Sequence, residues 1–211
     1  MTVVVVGPPG AGKSTAATAI ARALGRDVVH FDTVRARAYR PYGYTPARAD
    51  RLFREGGAGG LHRYEARFEA RALARGTVDH AGSVLDTGGG VLRQYTDADT
   101  RRVHQALTDA EFTVLVLPFA EDPQRSTDCL IDRVRVRGAD DPFTDEWLNG
   151  GGRQLLHVLV LAAHAHLPLA DLVLDTARPA PATTGTGTGT GTGSRPGSPL
   201  ADRITNALGA H

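Results

Sequence analysis

Cysteine is almost absent from this chain: Cys129 is the only one in 211 residues. That excludes an internal disulfide and suits a reducing compartment. A lone cysteine with no matched histidine reads as a small apolar side chain, not a nucleophile. A charge excess is missing too. There are 24 basic and 23 acidic side chains, so composition offers no surface for nucleic acid or an anionic membrane. No apolar run reaches the length of a bilayer span. The amino terminus lacks the basic start of a signal peptide, and its apolar stretch leads straight into a glycine-rich loop. A cytoplasmic location is the expectation. Metal-ligand spacing is absent as well: His62, His157, His164 and His166 form no chelating pattern, and His157 and His164 are too far apart on one helix to hold one ion. Lysine is scarce while Ala, Gly and Arg abound, which suits a GC-rich genome and carries no functional weight.

What is present begins at residue 7. Gly7, Pro8, Pro9, Gly10, Ala11, Gly12, Lys13 and Ser14 spell the phosphate-binding pattern G-x-x-x-x-G-K-[ST], followed by Thr15. Residues 2–6 before it are a continuous β-branched apolar run and read as a buried parallel strand. Residues 15–24 after it are Ala-rich with helical apolar spacing. In that setting backbone N–H groups of the loop and the first helical turn converge on phosphate oxygens. Lys13 is placed to bridge the outer phosphates and Ser14 to face Mg²⁺.

Further strands are expected at 27–31, 82–85, 112–117 and 172–174, and helices at about 47–54, 60–75, 97–109, 122–136, 153–166 and 200–209. The alternation argues for an α/β fold: a parallel sheet of about five strands flanked by helices, as in P-loop NTPases, with a lid segment. A single domain over residues 1–211 is expected. Its exception is a Pro/Thr/Gly insertion at 177–199, read as a disordered spacer before the C-terminal helix.

Ligands of such sheets lie at the carboxyl ends of the strands. Asp32 follows the second strand, where a carboxylate can take the proton of an acceptor hydroxyl or hold it in line with a γ-phosphate. Asp86 ends the third strand in VLDTGGG, the place of a metal-side carboxylate. Gly88, Gly89 and Gly90 then let the backbone approach a ligand closely. Arg133, Arg135 and Arg137 precede a stretch (Gly138 to Pro142) that reads as a flexible lid loop. Arginines there can neutralise charge on a transferring phosphoryl group.

The quoted stretches resemble the shikimate kinase family of small P-loop kinases: GPPGAGKSTAATAIARALG, the Asp32 strand end, RLFREGGAGGLHRYEARFEARAL, VLDTGGGVL, the Arg-rich segment and ADLVLDT. The resemblance implies ATP and Mg²⁺ as cofactors, a monomer, and transfer of the γ-phosphate to a hydroxyl of a small molecule. It makes Lys13, Asp32, Arg133 and Arg137 the catalytic set. Residues 7–15 become the nucleotide site, Ser14 and Asp86 the metal side, and Asp32, His62, Gly88, Gly89 and Gly90 the acceptor side.

The departures concern the acceptor. His30 stands where the family has a second Asp, so Asp86 is expected to replace it. The two arginines that grip the shikimate carboxylate align with His62 and Ala162, leaving Arg54 and Arg63 as the nearby cations. A carboxylate without a bidentate Arg loses its best recognition group. The expected acceptor is shikimate or, in preference, a cyclitol, sugar or similar polyol. Two other readings stay open. One is a nucleotide or antibiotic phosphotransferase, with Tyr39, Tyr42 and Tyr44 as a base clamp. The other is a non-catalytic ATP-binding regulatory protein.

Overall fold

The computed structural model describes residues 2–177 and residue 204. The expected spacer from residue 178 onward and the C-terminal helix, Ile204 excepted, lie outside the described residues. Five strands form one parallel sheet: β1 (Val3–Val6), β2 (Val28–His30), β3 (Val84–Asp86), β4 (Phe112–Leu117) and β5 (Leu172–Asp175). Their order is β2-β3-β1-β4-β5. Central β1 pairs with β3 on one side and β4 on the other. The carboxyl edge beside it is the switch point at which such sheets bind ligands.

Every residue of β1 and β4 is buried, because helices cover both faces of the sheet. Successive side chains alternate between two cores. Val3, Val5, Val114 and Val116 meet α1 (Lys13–Leu24), α5 (Pro123–Arg137) and α7 (Arg153–Ala165) through Ala17, Ile20, Leu130 and Leu156. Ile204 joins that core. Val4, Val6, Leu115 and Leu117 point the other way. They meet Leu73 of α3 (Pro46–Asp79) and Val103 and Leu107 of α4 (Asp97–Thr108). Among the described residues no helix is long and apolar enough to cross a membrane.

Three expectations are corrected. Phe31 opens α2 (Phe31–Tyr39) and does not end β2. Its ring packs over Gly76 of α3, where a Cβ would lie 2.3 Å from Phe31 Cζ. The two helices expected at 47–54 and 60–75 are one 34-residue run, broken at Gly57 with φ 59° and ψ −156°. The stretch from Gly138 to Pro142 is a turn that starts a short helix, α6 (Pro142–Trp147), in place of a flexible loop. The Asp141 side chain caps it by accepting from Phe143 N at 3.1 Å.

Tyr39, Tyr42 and Tyr44 build a core and no clamp. Tyr39 is buried and stacks on Phe68 at 5.9 Å between ring centroids, and Tyr44 stacks on Tyr64 at 5.6 Å. Tyr42 packs against the same cluster. Aromatic pairs of this kind stabilise through buried area and ring geometry, and here they fix α2 against α3.

Candidate active site

The loop between β1 and α1 is shaped by backbone conformations open to glycine. Gly12 holds φ 99° as the N-cap of α1. Gly7 holds φ 148°, and a Cβ there would lie 2.3 Å from Val116 O of β4. The loop therefore lies against β4 and presents the open end of α1 to a cavity of about 480 Å³. Pro9, Gly10, Gly12, Lys13, Ser14 and Thr15 line one side of it. Lys13, the only lysine in the chain, donates from Nζ to Pro8 O at 3.2 Å. Burial lowers its pKa, against the opposing pull of the Asp86, Asp32 and Glu69 carboxylates.

Arg133 and Arg137 reach the same cavity from α5. They stand four apart and share a face of α5, which runs up to Arg137, just before the stretch from Gly138 to Pro142. Arg133 donates to Thr176 Oγ1 at 2.9 Å and Thr176 O at 3.0 Å, and Thr176 Oγ1 donates to Ala11 O at 3.0 Å. The end of ADLVLDT thus ties α5 to the phosphate loop. Arg135 faces away and pairs with Asp132 at 3.1 Å. A second cavity of about 620 Å³ shares Arg133 and Arg137 and is lined by Phe119, Arg125 and Cys129. The Arg125 guanidinium lies 4.1 Å from the centroid of the Phe119 ring.

On the other side the first cavity is lined by Asp32 and Arg35 of α2, His62, Glu65 and Glu69 of α3, and Gly89 and Gly90. Phe143, Trp147, Leu155 and Leu159 add an apolar wall from α6 and α7. The triple glycine is a packing device. A Cβ on Gly89 would come within 2.6 Å of Pro9 in the phosphate loop, and one on Gly90 within 2.4 Å of His62 Nε2. Gly88 packs on Glu69 and does not line the cavity.

His62 is fully committed within the protein. Its Nε2 lies 3.2 Å from Gly90 O, which can only accept, and its Nδ1 lies 2.8 Å from Tyr95 Oη. That fixes the proton on Nε2 and leaves Nδ1 as the acceptor. Burial holds its pKa below the ordinary imidazole value, so the ring is neutral near pH 7. Neither nearby arginine compensates. Arg63 lies over Tyr95 at 5.1 Å from the ring centroid, and Arg54 Nε donates to Asp50 O at 3.3 Å. Ala162 packs into the core beside α4.

Asp86 and His30 stand opposite each other in the β2–β3 register. His30 Nδ1 lies 2.7 Å from Asp86 Oδ2. Asp86 Oδ1 is buried with no hydrogen-bond partner among the described residues. Asp86 does not line the cavity, whereas Ser14 does. Among the described residues no group of three or more His, Cys, Asp or Glu could hold a metal ion. A hydroxyl such as that of Ser14 and an unpaired carboxylate oxygen such as Asp86 Oδ1 are donors of the type that suits Mg²⁺, which keeps waters and shares phosphate oxygens.

Glu69, Arg35, Phe143 and Trp147 were not singled out from the sequence. A signal existed for the first: Glu65 and Glu69 are four apart on one helical face. Arg35 and Tyr44 each reach Glu65 at 3.2 Å. Glu69 Oε2 is buried and unpaired. Burial, reinforced by Glu65 and Asp32, pushes the Glu69 carboxyl up to about 8.

The sequence profile of the AAA domain matches residues 3–146. A shikimate kinase of Corynebacterium efficiens is 33% identical over 141 residues, which span 66% of this chain and 71% of that protein. The fold is shared with the shikimate kinase of Acinetobacter baumannii, solved in complex with shikimate, at a TM-score of 0.51 and 19% identity over 99% of this chain and 93% of that one. It is shared equally with the shikimate kinase of Bacteroides thetaiotaomicron, at a TM-score of 0.50 and 21% identity over 84% and 87% of the two chains. With its P-loop, its sheet order and its triple glycine, this chain belongs to the shikimate-kinase-like family of P-loop domains.

Proposed function

We propose that this protein is an ATP-dependent phosphotransferase that moves the γ-phosphate of ATP to a hydroxyl of a small, non-carboxylated polyol. The observation that carries the reading is the continuity of one cavity, from Lys13 and Ser14 on the phosphate loop to Asp32 on α2. Donor and acceptor groups can meet there without a large rearrangement. The second cavity, which shares Arg133 and Arg137, offers the Phe119 ring and the Arg125 guanidinium to a nucleobase.

In this reading the acceptor oxygen forms a bond to the γ-phosphorus while the bond to the β–γ bridging oxygen breaks. ADP leaves with the electron pair. Asp32 accepts the hydroxyl proton and later passes it to solvent. Lys13, Arg133 and Arg137 stabilise charge on the phosphoryl oxygens. The Thr176 contact keeps Arg133 aimed at the loop. Ser14 and the free oxygen of Asp86 are the groups that would hold Mg²⁺, which when bound neutralises charge on the outer phosphates. His30 orients Asp86 and leaves one oxygen free.

The absence of shikimate from the expected acceptors rests on His62. A neutral ring with both nitrogens engaged has no donor pair for a carboxylate. The reading is tested by a coupled assay of ADP release with Mg·ATP, first with shikimate and then with cyclitols, sugars and nucleosides. Transfer to a polyol with none to shikimate is the expected result. Micromolar binding and turnover of shikimate would overturn the substrate assignment.

A further inference from the structure

The acceptor side holds more carboxyl groups than a neutral polyol requires. Asp32, Glu65 and Glu69 converge there from α2 and α3, and Arg35 is the cation beside them. Arg35 and Tyr44 satisfy Glu65. Glu69 is different. It is only 8% exposed, it lines the cavity, and its Oε2 has no partner among the described residues. The fold keeps room for it: a Cβ at Gly88 would lie 2.6 Å from Glu69 Oε1, and one at Gly90 would lie 2.9 Å from Oε2. Lys13 makes no hydrogen bond to it: the ammonium donates to Pro8 O at the phosphate side and acts on Glu69 through its charge alone.

A buried carboxyl without a donor is costly unless something completes it. A hydroxyl can donate one hydrogen bond but brings no charge that would let the carboxyl ionise. An ammonium brings three donors and the opposite charge. An anionic acceptor would face three carboxyl groups, with Arg35 already engaged by Glu65, an arrangement that disfavours it.

We infer that the acceptor carries a protonated amine, held by Glu69 with Glu65 and Asp32 around it, so that the substrate class is amino sugars or aminocyclitols. This deepens the phosphotransferase reading of the same cavity and rests on it. Glu69 acts as a specificity residue. The hydroxyl near Asp32 is the one phosphorylated, while the amine sets the orientation of the ring.

The test uses matched pairs that differ in one amine: glucosamine against glucose, and scyllo-inosamine against scyllo-inositol. Binding to the full chain loaded with Mg²⁺ and a non-hydrolysable ATP analogue is followed by the fluorescence of Trp147, which is the only tryptophan and lines the cavity. Turnover of the same pairs is followed by ADP release and the mass of the product. The amine member of a pair is expected to bind about ten- to a hundredfold tighter, as for other hydrogen bonds to buried charge. That preference should vanish in Glu69→Gln and weaken in Glu65→Gln, both of which keep side-chain shape. Equal or weaker binding of the amines, or no binding of any member, overturns the inference. So does a preference that survives both substitutions. Turnover separates the two readings. A Glu69-dependent preference without transfer to any compound would leave the inference standing and defeat the phosphotransferase reading. Efficient transfer to the neutral members alone would do the reverse.

Discussion

The two sides of the cavity are built by different means. The phosphate side is backbone: a glycine-shaped loop between β1 and α1, seated on β4, with Lys13 bonded to Pro8 O and Arg133 to Thr176. The acceptor side is side chains, carried by α2 and α3 and separated by a long aromatic detour through Tyr39 to Tyr64. The first side can be read from eight consecutive letters. The second depends on which face of a 34-residue helix, broken at Gly57, turns inward. The phosphate side carries the P-loop pattern in full, whereas the acceptor side presents His62 and the buried Glu69.

The contrast predicts separable losses. Lys13→Ala, on the phosphate side, should lower turnover with every acceptor by at least about 10³-fold, at the upper range for loss of one transition-state donor. A coupled assay across the acceptor panel checks it, and an acceptor-specific loss would break the comparison. Asp32→Asn should lower kcat by about 10²-fold, the lower range for a lost general base, while nucleotide affinity measured by Trp147 fluorescence stays within error. Asp86→Ala should weaken the Mg²⁺ dependence of nucleotide binding by about tenfold, as for groups that orient a metal site. Normal Mg²⁺ dependence in that variant would remove Asp86 from the metal side.

Glu69 gives a prediction about stability. Its carboxyl ionises near its ordinary value when unfolded and at about 8 in the fold. The folded state therefore holds a proton that the unfolded chain has released between those values. The Glu69 contribution to the stability of the unliganded protein should be fully present below the ordinary carboxylate value and fall by on the order of a few kcal/mol as pH rises towards 8. The charges facing Glu69 are Glu65, Asp32, Arg35 and Lys13. Glu69→Gln should flatten the decline, which denaturant titrations across pH would show. The smallest effect is expected at the kink. Gly57→Ala places a Cβ 2.1 Å from Gly150 O at a φ of 59°. It should cost about 1–2 kcal/mol and loosen the seat of α6, by the strain of a side chain in that conformation. Thermal melts and the Trp147 emission maximum report it.

The legible and illegible parts divide along the same line. All five strands were visible because a sheet covered on both faces needs continuous apolar runs, and VVVV and FTVLVL are such runs. The loop, Asp32 and the triple glycine were visible because each sits at a strand end. Phe31 was misplaced because its apolar character fits a strand as well as a helix start, and only Gly76 across the fold makes room for its ring. Glu69 escaped notice because burial of a carboxylate goes against composition. The i,i+4 pair with Glu65 was its single local mark. The tyrosines looked like a clamp because aromatic residues serve both clamps and cores, and the pairing with Tyr64 and Phe68 lies about two dozen residues away.

The most direct test of the central claim is the fate of the γ-phosphate. The protein is incubated with Mg·ATP labelled at that position and the acceptor panel, with Lys13→Ala in parallel, and the label is followed into product. The account predicts label on the hydroxyl of a polyol, strongest for an amine-bearing member, and none with Lys13→Ala. Label recovered only as inorganic phosphate, at a rate indifferent to every acceptor, would contradict it.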